Sequence, residues 1–186
     1  MKRAASLVLL LLPLTAAAQT FSVYGTSGRT PKTWHGQADM QALHFEYAHA
    51  LSPRTELAAV LSPTWILQPK SWFGDQFGDG NERVQALAGS LLLRRRFNLD
   101  SRRVQFYGEL GTGPMLARKA VPASTSRFNF VSHGGVGVVL MPHARTPFFA
   151  GYRFQHISNG GYSPRNPGLN VSSLVAGVRI ASRRRR

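Results

Sequence analysis

The stretch Phe148-Phe149-Ala150-Gly151-Tyr152-Arg153-Phe154-Gln155-His156-Ile157-Ser158 decides the fold. A β-strand sends successive side chains to opposite faces. On that reading Phe148, Ala150, Tyr152, Phe154, His156 and Ser158 share one face, and Arg153 and Gln155 take the other. The shared face is apolar until it ends in an imidazole and a hydroxyl two residues apart. The next segment repeats the pattern: Asn170, Ser172, Leu174, Ala176, Val178 and Ile180 fall opposite Ser173 and Arg179. His156, Ser158 and Asn170 therefore all continue an apolar stripe.

Working outward, the same alternation recurs. Val104, Phe106 and Leu110 alternate with Arg103, Gln105 and Glu109. Phe128, Phe130, Val136, Val138 and Leu140 fall opposite Asn129 and His133, and Leu43, Phe45 and Tyr47 alternate with Ala42, His44 and Glu46. Clusters of Gly, Pro, Asn and Asp separate the segments, which is the all-β signature. Eight strands are expected, near 20–26, 40–50, 55–66, 83–97, 103–116, 127–141, 147–158 and 169–181, within the range of the smallest membrane barrels. A soluble sandwich or lipocalin-like barrel would alternate as well.

The first residues read as an export signal. Lys2 and Arg3 precede the apolar run Leu7 to Leu12, and Ala16-Ala17-Ala18 supplies small residues before a cut at Gln19. Pro13 interrupts the run, which falls short of the ~20 apolar residues of a spanning helix. The expected organisation is a signal peptide over 1–18, a barrel over 19–182 and a basic tail over 183–186. The chain has 186 residues and no cysteine, so an exported fold needs closure other than disulfides. A closed sheet, an eight-stranded antiparallel outer-membrane β-barrel, supplies it.

The formal charge of +15 falls by two, to +13, without Lys2 and Arg3. Excess base in a chain often points to nucleic acid; export argues against that partner and for anionic lipid, with phosphorylated lipid A the obvious candidate. Arg94-Arg95-Arg96, Arg102-Arg103 and Arg183 to Arg186 are clusters that a solvated surface also explains. Gly74 to Asn81 reads as a polar loop without calcium-hand spacing. Trp34, Trp65 and Trp72 lie near strand ends, where interfacial aromatics collect; buried packing would place them there equally well. His35, His44, His49, His133 and His143 are scattered without a paired metal motif, and no metal or cofactor is expected.

A neutral serine is a poor nucleophile that a neighbouring imidazole can activate. The imidazole needs a third group to fix its tautomer, and Asn170 on the adjoining strand offers one. The oxyanion needs preorganised donors; Asn159, Asn166 and the backbone amides of Gly160 and Gly161 are candidates. None of Glu46, Glu56, Glu82 and Glu109 forms a readable acid pair, though one could approach the imidazole through space.

His156-Ile157-Ser158-Asn159-Gly160-Gly161 followed by Asn166-Pro167-Gly168-Leu169 resembles the active-site stretch of the PagL-type lipid A 3-O-deacylases. The close match covers about 15 residues. The resemblance implies an eight-stranded outer-membrane barrel with a Ser–His–Glu triad, in which His156 is the general base and Ser158 the nucleophile. It implies hydrolysis of the 3-position ester of lipid A, releasing a 3-hydroxy fatty acid, and Asn159 and Asn166 fall at the family's asparagines, with Asn166 at the oxyanion. The chain departs from the pattern at Asn170, where the family's acid would align, and at its end, Ile180-Ala181-Ser182 and four arginines in place of a terminal aromatic. The alternative is a non-catalytic barrel of the same shape that binds lipopolysaccharide or serves structurally. A soluble exported β-protein with an apolar ligand inside is a third reading. The sequence leaves a homodimer open.

Overall fold

The computed structural model describes residues 19–32, 36–71 and 80–181. The expected leader and basic tail, His35, Trp34, Trp72 and most of the 74–81 loop lie outside the described residues. Eight strands follow in order: β1 (Gln19–Arg29), β2 (Asp39–Ala50), β3 (Thr55–Pro69), β4 (Asn81–Phe97), β5 (Val104–Ala117), β6 (Phe128–Leu140), β7 (Phe148–Ser158) and β8 (Leu169–Ala181). Each pairs antiparallel with the next, and β1 closes on β8. Closure leaves no strand edge unpaired, which is how the chain dispenses with disulfides.

The two ends of the barrel differ. The connections after β2, β4 and β6 span few residues and share one end, and those after β1, β3, β5 and β7 span more and share the other. Asn98 shows how a short turn is set. It takes a left-handed φ of 44°, its Nδ2 donates to the Val104 carbonyl at 3.0 Å, and its Oδ1 accepts from Phe106 N–H at 3.0 Å.

The alternation read from sequence is the inside–outside alternation of the wall. On β7, Phe149, Arg153, Gln155 and Ile157 are buried, whereas Phe148, Tyr152, Phe154 and His156 are exposed. Leu110 and Leu174 are 70% and 72% exposed, within a girdle that includes Phe45, Leu61, Leu91, Phe106 and Val136. A contiguous apolar belt of this extent is a lipid-facing surface, since water-soluble monomers rarely expose one.

The inside is polar and filled. Arg94 on β4 donates to Glu46 at 2.7 and 2.8 Å, to Glu56 at 2.7 Å and to Glu109 at 3.0 Å. Arg153 reaches Glu109 at 3.0 Å, Arg179 reaches Glu56 at 2.8 Å, and Arg96 also pairs with Glu56. Arg94 stands over the Tyr107 ring and Arg153 over the Tyr24 ring, each 5.2 Å from the centroid. Toward the long loops the filling turns apolar, with Met40, Ile66, Val84, Met115, Val131, Ile157 and Leu169 in one cluster. A cavity between His44 and His133 measures about 20 Å³, room for about one water. A cavity of that size is far smaller than a lipocalin-like ligand chamber.

Three sequence expectations change here. The Arg94-Arg95-Arg96 cluster is no uniform surface patch: Arg94 is buried, Arg95 faces outward and Arg96 is half-buried. Strand alternation splits a run that a linear reading treats as one. The acids Glu46, Glu56 and Glu109 point inward and are held by arginines, while Glu82 accepts from Gln68 and Lys119. None of these acids is hydrogen-bonded to His156, which faces outward. Finally, β1 runs to Arg29, beyond the end expected near 26. A side chain at Gly28 would collide with the Ser172 carbonyl and Ser173, so the glycine lets β1 lie close to β8 where the barrel closes.

Candidate active site

The site lies where β7 ends and β8 begins, at the long-loop end of the outer wall. Ile157 and Leu169 are register partners, and both are buried in the apolar cluster. Fixing those two inward forces their neighbours His156 and Asn170 outward. A slip of one residue would invert all four.

His156 and Asn170 face each other across the β7–β8 ladder, and Nδ1 of the ring lies 2.7 Å from Oδ1 of the amide. A carboxamide oxygen only accepts, so Nδ1 carries the proton and Nε2 presents a lone pair. Gly168 supports the ring from the loop side. Its φ is +70°, and a Cβ there would come within 2.7 Å of His156 Cε1. Both backbone and space therefore require glycine at this position.

Ser158 stands two residues along the same outward face, half-buried, with Phe130 of β6 as its register partner. Among the described residues neither Ser158 Oγ nor His156 Nε2 makes a hydrogen bond. Such bonds commonly tighten only when substrate is present. Phe128, Phe130 and Tyr162 form an aromatic group beside the serine, with centroids 5.2 to 6.4 Å apart.

The loop after β7 is clipped by two asparagines. Asn159 is buried; its N–H donates to Asn166 Oδ1 at 3.1 Å, its Nδ2 donates to the Arg165 carbonyl at 2.8 Å, and its Oδ1 accepts from Gly161 N–H at 2.9 Å. Gly160 and Gly161 take φ of +63° and +85°, which turns the chain sharply. The donors proposed for an oxyanion thus divide. Asn159 and the Gly161 N–H are spent on loop geometry. The Gly160 N–H and Asn166 Nδ2 have no partner among the described residues.

The structure gathers His156, Ser158, Asn170, Asn159, Gly160, Gly161 and Asn166 around one strand end. Sequence reasoning passed over Gly168, although it lies inside the Asn166-Pro167-Gly168-Leu169 run, and over Ser132, the β6 register partner of His156. The parity of Phe128 and Phe130 already placed Ser132 on the same outward face. Among the described residues no group of three or more His, Asp or Glu side chains could hold a metal ion.

Comparison with known proteins places the chain in a family and a fold. A family model described as lipid A 3-O-deacylase (PagL) matches residues 25–179. The crystal structure of the outer membrane enzyme PagL superposes with a TM-score of 0.59 at 16% identity, covering 86% of this chain and 98% of that one. Neisserial surface protein A (NspA) gives 0.58 at 14% identity, covering 89% and 97%. The outer membrane protein AlkL gives 0.50 at 13% identity, covering 97% of each. No curated protein sequence matches. At these identities the solved structures speak for the shared outer-membrane barrel fold.

Proposed function

The chain belongs to the lipid A 3-O-deacylase (PagL) family, and from that premise we propose that it is a serine esterase of the bacterial outer membrane that removes the 3-position acyl chain of lipid A. The observation that carries the reading is the outward His156–Asn170 hydrogen bond of 2.7 Å beside Ser158, at the upper margin of a lipid-facing belt. In barrels of this kind the longer loops face the outside of the cell. A reactive centre there meets the ester-linked chains of the outer leaflet.

In the proposed reaction Ser158 Oγ bonds to the ester carbonyl carbon and passes its proton to His156 Nε2. Asn170 holds Nδ1–H and thereby keeps Nε2 free to accept. Gly160 N–H and Asn166 Nδ2 stabilise the negative oxygen, and each such donor is worth roughly 10²–10³ in rate. The carbon–oxygen bond to the sugar then breaks, and the imidazolium returns the proton to the departing oxygen. Water, deprotonated by the same imidazole, cleaves the acyl-serine and releases a 3-hydroxy fatty acid. The reading needs no metal or cofactor and no nucleic acid; lipopolysaccharide is the partner.

The test is the mass spectrum of lipid A from a lipopolysaccharide-bearing host. Expression should remove one hydroxyacyl chain, and Ser158→Ala should leave lipid A intact. Intact lipid A with folded wild-type protein, or an active alanine variant, refutes the assignment. A second reading, a lipopolysaccharide-binding barrel without turnover, is favoured by one observation. The partner of His156 is an amide, which orients an imidazole but cannot neutralise an imidazolium. That reading predicts binding with no acyl release.

A further inference from the structure

Two hydroxyl pairs interrupt the lipid-facing belt near the site. Thr112 Oγ1 and Ser132 Oγ lie 3.0 Å apart on β5 and β6, and Tyr152 OH donates to Ser172 Oγ at 2.8 Å between β7 and β8. Polar groups in hydrocarbon pair because lipid satisfies nothing. A pair of hydroxyls has two donors and uses only one of them. Each pair therefore retains a donor that an oxygen on a bound amphiphile can meet.

The two pairs are placed differently. Ser132 is the register partner of His156, and Thr112 is the register partner of Ser132, so this pair is level with the imidazole. Ser172 is level with Phe154, one step further from the loops. The β8 side of the imidazole is also closed, by Asn170 and by Gly168 against the ring. On the β6 side the register partner of His156 is the exposed Ser132. Two residues further along β6 the wall thins at Gly134. There an apolar groove of about 610 Å³ follows, lined by Leu93, Phe97, Leu110, Val136 and Tyr152.

We propose that Thr112 and Ser132 form a specificity subsite that binds a hydroxyl on the acyl chain of the scissile ester, selecting 3-hydroxyacyl over plain acyl groups. This rests on the esterase reading above. An oxygen on the third acyl carbon lies within about one strand spacing, roughly 5 Å, of the carbonyl carbon under attack. With the carbonyl at Ser158, the chain crosses the β6 side of His156, sets that oxygen against the Thr112–Ser132 pair, and continues past Gly134 into the groove. One neutral hydrogen bond formed at an otherwise dry donor corresponds to roughly a five- to tenfold preference.

The test compares 4-nitrophenyl 3-hydroxydecanoate with 4-nitrophenyl decanoate in detergent micelles. The wild type should cleave the hydroxylated ester about five- to tenfold better by kcat/KM. Ser132→Ala and Thr112→Val should bring the ratio to about one while holding the plain-ester rate within about twofold. Ser172→Ala removes the other outward pair and should leave the ratio unchanged. A preference retained in Ser132→Ala, a wild type without preference, or an equal fall on both esters overturns the proposal. If the wild type cleaves neither ester, the esterase reading is decided by the lipid A spectrum. The subsite is then judged on binding to the Ser158→Ala barrel: greater retention of 3-hydroxydecanoate than decanoate, abolished by adding Ser132→Ala, upholds it, and equal retention overturns it.

Discussion

Asn170→Asp tests the orienting role of the amide with little change in shape. The acceptor oxygen already sits 2.7 Å from His156 Nδ1, and aspartate places an oxygen at the same position. What changes is charge. During attack the imidazole becomes cationic, and a carboxylate stabilises it where an amide only directs it. Two unit charges about 4 Å apart at an effective dielectric near 20 attract by about 4 kcal/mol. Asn170 is exposed on the wall, so screening and desolvation leave about 1 kcal/mol, roughly fivefold in turnover. Asn170→Glu, the acid that the family resemblance places here, should act in the same direction, provided its extra methylene fits beside the ring. The assay is the initial rate of 3-hydroxy acid release from lipopolysaccharide vesicles, with folding verified by heat-modifiable mobility. If both acidic variants are folded and neither is faster than the wild type, Asn170 is not the partner that limits His156, and the orienting argument fails.

Other substitutions probe the remaining parts. Asn166→Asp keeps the Oδ1 that accepts from Asn159 N–H but removes the free Nδ2 donor; turnover should fall about 10²-fold with substrate binding little changed, as read from kcat and KM separately. Gly168→Ala forces a side chain into a left-handed backbone and against the His156 ring. That strain is about 1–2 kcal/mol, so activity should drop at least tenfold while the barrel still inserts and resists proteolysis. Glu109→Gln leaves Arg94 and Arg153 short of a buried counter-charge. It should cost about 3–5 kcal/mol, seen as a lower urea midpoint, with lipid A cleavage retained in the absence of denaturant. A folded Glu109→Gln barrel with an unshifted midpoint would show that the inner arginines are compensated elsewhere.

The outer wall was legible because strand parity is a local property. Ile157 and Leu169 are plainly apolar, and each sits between polar residues whose direction follows from a period of two. The shared outward face of His156, Ser158 and Asn170 therefore followed from Gln155 to Asn170 alone. Contacts between distant strands were not legible. Arg94 meets Glu46 and Glu56 across 48 and 38 residues, and nothing in an arginine triplet tells which member turns inward. β1 runs past its expected end near 26 because the seam with β8 at Gly28 is a contact between distant strands. The division of labour among Asn159, Gly160, Gly161 and Asn166 depends on hydrogen bonds closed within one loop, and composition cannot rank donors by whether they are already engaged.

The packed lumen has a consequence for traffic. Among the described residues arginines, glutamates and apolar side chains occupy the bore, so the middle of the barrel offers a severed lipid no open path. On the proposed esterase reading, both halves of a cleaved lipid depart sideways, into the leaflet from which the intact molecule came. The barrel then behaves less as a conduit than as a post standing in the bilayer, and two-dimensional diffusion governs its supply and clearance.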